Sequence, residues 1–177
     1  MEFQTLYQEL SQSTEMIRAL LAGISQEEAQ IKPGADSWSI LEVVCHLYDE
    51  EREDFREHLD FIISTSLNAS LHRQNGEWHR IDPQGWVTER KYNQQNLAEM
   101  QGKFFDERRK SLEWLKSISN TDLETTYTSE FGSIKAGEMF ACWVAHDNLH
   151  GRQLVELRRK YIERMVGSFN IQYAGDW

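Results

Sequence analysis

The stretch ACWVAHDNLHGRQLVEL, residues 141–157, decides how the chain is read. At about 100° per residue, a helix through it gathers Met139, Trp143, His146, His150, Leu154, Leu157 and Tyr161 into one narrow stripe, with Asp147 close beside. The stripe is apolar enough to face a core, yet it carries two imidazoles one turn apart. A buried imidazole without a partner costs free energy. A single histidine there is ordinarily satisfied by a Tyr, an Asp or the backbone. Two at i and i+4, aligned on a single point, favour a divalent metal instead, because that spacing is how one helix presents two nitrogens to Zn²⁺ or Ni²⁺. HDNLH also invites comparison with the His-Glu-x-x-His signature of zinc peptidases. Asp147 is one methylene shorter than the glutamate that serves as general base there, and so short a motif recurs by chance, so the peptidase reading carries little weight.

Around this segment the chain reads as long helices and almost no strand alternation. A first helix is expected from about Glu2 to Ala22, striped by Phe3, Leu6, Tyr7, Leu10, Ile17, Leu20 and Leu21. An irregular connection with a helical turn at SQEEA follows. A second helix begins at Ser37 or Ser39, where Ser39 and Glu42 have capping-box form, and runs to about Ser64. Residues 67–93, rich in Asn, Gly and aromatics, read as a long ordered loop, of the kind that often covers a site. A third helix spans about Gln94–Ile118, a short extended piece falls at TYTSEFGSI, and the fourth helix covers about Ala136–Arg164 before a tail. Four amphipathic helices of some 20 to 28 residues predict an all-α, up-down four-helix bundle forming a single domain over residues 1–177. No Glu stands three residues before any of the six histidines, which argues against a di-iron carboxylate site.

Composition sets outer bounds. Nineteen Lys and Arg against 29 Asp and Glu give a formal net charge of −10, which argues against binding a phosphate backbone and weakly against anionic lipid. Two cysteines, Cys45 and Cys142, cannot make a zinc knuckle or a disulfide framework. The acidic, polar N-terminus has no secretory form, and no apolar run approaches the roughly 20 residues of a membrane span. A reduced, cytoplasmic protein is the expectation.

A third metal ligand is harder to read from periodicity. With Val44, Tyr48, Phe55, Leu59 and Ile62 as the buried stripe of the second helix, His46 falls nearly opposite, among Glu42, Glu50, Glu53 and Glu57, and reads as a solvated surface residue. His58 falls on the apolar stripe with Glu51, but twelve residues from His46, roughly 18 Å along the axis, it cannot share a metal with it. His72 and His79 lie in the loop, where exposure is the ordinary state. Cys142, one turn before His146, reads as a buried inert thiol sooner than a ligand, and Cys45 likewise. The acidic run DEEREDFREHLD reads as a solvated face, and Trp78, Trp86 and Tyr92 as anchors of the loop.

WSILEVVCHLYDEE, WHRIDPQGW and FGSIKAGEMFACWVAHDNLHGRQL together resemble the DinB-like superfamily of four-helix-bundle metalloproteins, of the DinB/YfiT type. The resemblance covers essentially the whole chain and rests on the order, spacing and helical placement of these pieces. It implies a divalent metal, zinc or nickel, held by His46 from the second helix with His146 and His150 from the fourth. Three neutral imidazoles leave a position open for water or substrate, the arrangement of a catalytic site. The function so implied is transfer of a low-molecular-weight thiol to an electrophilic small molecule, preferred slightly because no general base is evident. The alternatives are a hydrolase using metal-bound hydroxide and a non-catalytic metal-binding stress-response protein. No catalytic residue beyond the metal ligands is assigned, although Asp147 is placed to orient a histidine or take a proton. Members of the family often form dimers, so a homodimer is part of the same expectation.

Overall fold

The computed structural model describes residues 2–67, 78, 80–129 and 132–175. His72 and His79 lie outside the described residues. The first helix, α1 (Phe3–Leu21), buries Leu6, Leu10, Ile17 and Leu21, the stripe its periodicity predicts. The turn expected at SQEEA is a short helix, α2 (Gln26–Ala29), where the Ser25 hydroxyl accepts from the Glu28 N–H at 3.1 Å. The second long helix is built from three pieces: α3 (Ile40–Glu50), a π-helical turn (Glu51–Phe55) and α4 (Arg56–Leu67). Its capping box forms as predicted, with the Ser39 hydroxyl accepting from the Glu42 N–H at 3.1 Å and the Glu42 carboxylate accepting from the Ser39 N–H at 2.8 Å.

The end of the expected loop is helical instead. Pro83 opens α5 (Pro83–Glu89) at a position where its missing N–H costs nothing, and Asp82 caps it. Trp86 and Tyr92 are buried and anchor this segment on α3. There the Tyr92 hydroxyl donates to Asp49 at 2.6 Å. Then follow α6 (Leu97–Ser117), an antiparallel hairpin of β1 (Thr126–Ser129) and β2 (Gly132–Lys135), and α7 (Ala136–Val166). No described helix is long and apolar enough to cross a membrane.

Two buried clusters fill the bundle, and they give the direction of each helix. One joins Ile17 and Leu21 of α1, Ile40 to Leu47 of α3, Leu97 to Phe104 of α6 and Leu154 of α7. The other joins Leu6 and Leu10, Phe55 to Ile63, Leu115, and Ala136 to Trp143. The expected four-helix bundle therefore forms, but the simple up-down alternation does not hold: its second and third long helices run in the same direction, antiparallel to α1 and α7. α5 and the helical turn Tyr92–Gln94 pack beside α3 just before α6 begins. α1 packs mainly against α7, and α3 mainly against α6. The Met16 side chain of α1 lies over Gly151 of α7, its methyl 2.5 Å from where a Cβ would stand.

The π-helical turn corrects the wheel reading of His46. An α-helix advances about 100° per residue, so one extra residue in the turn sets α3 and α4 out of phase. The stripe drawn through Val44, Tyr48, Phe55, Leu59 and Ile62 runs across that break. In the fold α3 is covered on nearly every side: Glu42, His46 and Glu50, read as solvated, are buried, and Tyr48, read as core, is only partly so.

Candidate metal centre

His46 from α3 meets His146 and His150 from α7 near the middle of the bundle. The three Nε2 atoms face one another, with His46 3.3 Å from His146 and 3.1 Å from His150, and the α7 pair 3.0 Å apart. Among the described residues, only these three bring ligand atoms within 4.8 Å of one another to form a group of at least three. His46 is 4 % and His150 6 % exposed. Burial is the main reason both resist protonation, His46 down to about 2 and His150 down to about 4, and a charge on any one ring would repel the next. Gln153 fixes one ring: its side-chain oxygen accepts from His150 Nδ1 at 2.7 Å, which leaves the Nε2 lone pair free. Trp38 supports the other side, with its ring edge-on to His46 at 4.8 Å and parallel to His150 at 6.4 Å.

The donor set fits a divalent ion. Three imidazole nitrogens turned toward one point, with the His150 Nε2 lone pair left free by Gln153, suit a shared Lewis acid. Nitrogens held by a tetrahedral ion at 2.0–2.1 Å lie about 3.3 Å apart, close to the 3.0–3.3 Å found. Cys142 is exposed on α7 and contributes nothing, contrary to the buried thiol expected of it, whereas Cys45 is buried as expected.

Glu50 is the residue sequence reasoning missed. It lies one turn after His46 and is buried, with Oε2 3.1 Å from His146 Nε2 and Oε1 3.6 Å from His46 Nδ1. Its carboxylate stands beside the three nitrogens, outside their common group. The i, i+4 spacing of His46 and Glu50 was a usable signal, masked by the polar face to which the wheel assigned both. Asp147, by contrast, hydrogen-bonds to neither histidine. It is fully buried and accepts two hydrogen bonds from Arg108, at 2.6 and 2.9 Å, and one from Ser13. His58 is buried against Trp78 and bonded to Asp54, away from the centre.

An open cleft of about 630 Å³ reaches His46 and His150 from outside, past Trp38, Gln84, Gln153 and Leu157. The fold and this site define a class: a helical bundle with a three-histidine centre between its second and fourth long helices, open to solvent on one side. The DinB superfamily model matches residues 9–154, and the chain belongs to that superfamily. Among solved structures it is similar to YfiT from Bacillus subtilis, described as "a probable metal-dependent hydrolase with an unusual four-helix bundle topology". That match has a TM-score of 0.71 at 11 % identity and covers 90 % of this chain and 87 % of YfiT. No curated protein matches the chain.

Proposed function

We propose that this chain is a divalent-metal-dependent hydrolase of a small molecule, with zinc or nickel held by His46, His146 and His150. The observation that carries the reading is the convergence of three Nε2 atoms within 3.0–3.3 Å beside a buried carboxylate and an open cleft. The description of YfiT as a probable metal-dependent hydrolase supports it. The sequence alone prefers thiol transfer for want of a general base, and Glu50 removes that ground. A bound divalent ion supplies Lewis acidity toward water or a substrate oxygen. The chain's own groups do the rest. Gln153 holds the His150 tautomer, and Trp38 walls the cleft against His46 and His150. Glu50, beside the histidine nitrogens, takes the proton of the attacking water and returns it to the leaving group.

Metal content by mass spectrometry, beside ester hydrolysis, tests this. The parent should carry about one ion per chain, and His46→Ala and His146→Ala should lose it. Glu50→Gln should keep the ion and lose hydrolysis of p-nitrophenyl acetate by about 10²- to 10⁴-fold. Full retention of metal in His46→Ala would remove that residue from the centre. Unchanged turnover in Glu50→Gln would remove the base.

A further inference from the structure

A second, smaller cavity of about 130 Å³ lies between α2, the Ile31–Pro33 turn and the later part of α7. Its lining joins one acid, Glu28, to three cations, Lys32, Lys160 and Arg164, over an apolar floor that includes Leu157. Glu28 is 9 % exposed, and its Oε1 is buried without a hydrogen-bond partner among the described residues. Buried carboxylate oxygens are nearly always partnered, so one left free on a residue that lines a cavity calls for an explanation. The cations do not supply the partner. Lys32 bonds Glu42 at 2.9 Å, Lys160 bonds Glu163 at 3.0 Å, and Arg164 forms no ion pair with the described residues. Acid and cations thus line one cavity without pairing with each other, as a ligand bearing both charges requires.

The cavity also continues toward the histidines. Pro33, Leu157 and Lys160 line both it and the cleft that reaches His46 and His150. Along α7, Leu157 and Lys160 stand about 10 and 15 Å beyond His150. We propose that the cavity binds the zwitterionic head of an amino acid. Glu28 receives the α-ammonium, and Arg164 and Lys160 receive the α-carboxylate. The side chain runs past Leu157 into the three-histidine cleft, so the substrates are amino-acid derivatives with a hydrolysable bond at the far end of an extended side chain. The direction of that chain rests on the hydrolase reading; the head-group site stands on its own geometry.

Calorimetric titration with Nε-acetyl-L-lysine as probe tests it, on EDTA-treated and on metal-loaded protein. Two blocked probes accompany it: the Nα,Nε-diacetyl form, which lacks the ammonium, and the C-terminal amide, which lacks the carboxylate. The parent should bind the zwitterion about tenfold more tightly than either blocked form, with or without metal. Glu28→Gln should abolish the preference over the diacetyl form and keep the preference over the amide. Arg164→Ala and Lys160→Ala, both on exposed positions, should do the reverse. Absence of binding, equal binding of all three probes, or preferences untouched by Glu28→Gln would each overturn the proposal. Zwitterion preference without hydrolysis of any amide or ester would leave the head-group site standing and sink the hydrolase. Ester hydrolysis with no zwitterion preference would do the opposite.

Discussion

Cys45 and Cys142 carry the same thiol and meet opposite environments. Cys142 is exposed on α7, whereas Cys45 is wholly buried on α3 with its sulfur 3.7 Å from the Tyr92 carbonyl. Burial pushes the Cys45 thiol up to about 12, with the nearby Asp49 and Glu42 charges adding to the effect. A thiol reacts as its thiolate, so iodoacetamide at pH 8 should label Cys142 and spare Cys45 in the folded protein, read by peptide mass mapping. The same shift makes a pH prediction. Below about 9, the ordinary thiol value, both the folded and the unfolded chain hold the proton and stability is unaffected. Above it the unfolded chain gives up the proton first, so folding stability falls as pH rises toward about 12, by about 1.4 kcal/mol per pH unit. Urea midpoints between pH 8.5 and 10.5 should therefore fall more gently in Cys45→Ala than in the parent. Parallel slopes would assign the loss to other groups.

At the scale of elements, the π-helical turn Glu51–Phe55 aims the second long helix in two directions at once. Before it, His46 and Glu50 face α7; after it, Phe55, Leu59 and Ile62 fill the lower core. Deleting Arg52, a partly exposed residue inside the turn, should restore α-helical phase and rotate the two halves by about 100° relative to each other. Near-native helical circular dichroism with loss of the bound ion is expected; a deletion protein that still holds about one ion per chain would show that the turn does not aim His46. This turn also explains what the sequence could reveal. His146 and His150 were legible because both lie on one uninterrupted helix, where 100° per residue is a sound ruler. The capping box at Ser39 and Glu42 was legible because it is local. His46 was assigned to the site only through family resemblance, and Glu50 not at all, because a single wheel was carried across a break in phase. Nothing local marks that break. The shared direction of α3 and α6 was hidden for a similar reason: it depends on where the chain re-enters beside α3 at α5 and Tyr92–Gln94, not on any helix's own pattern.

Across the whole molecule, one buried ionic network ties the four long helices together around Arg108. Its guanidinium donates to Glu51 through Nε and Nη2, both at 2.7 Å, to both oxygens of Asp147, and to the Thr14 hydroxyl at 3.2 Å. Trp143 Nε1 donates to Glu51 at 3.1 Å, and the Ser13 hydroxyl to Asp147. The partners alternate with the metal centre along the chain: Glu50 faces the histidines and Glu51 faces Arg108, while His146 belongs to the centre and Asp147 to the network. Fixing Glu51 and Asp147 thus fixes the rotation of both helices that carry the site. Such a group stabilises little against a well-packed apolar replacement, yet removing one member is costly, because it strands the others. Arg108→Met leaves two buried carboxylates without their cation and should cost about 3–5 kcal/mol at pH 7.5. Removing the stranded charges separates charge from packing. Adding Glu51→Gln and Asp147→Asn to Arg108→Met should shrink the deficit relative to the parent, read from urea unfolding of EDTA-treated samples at pH 7.5. A deficit unmoved by the two amides would mean that Arg108 acts only by filling space.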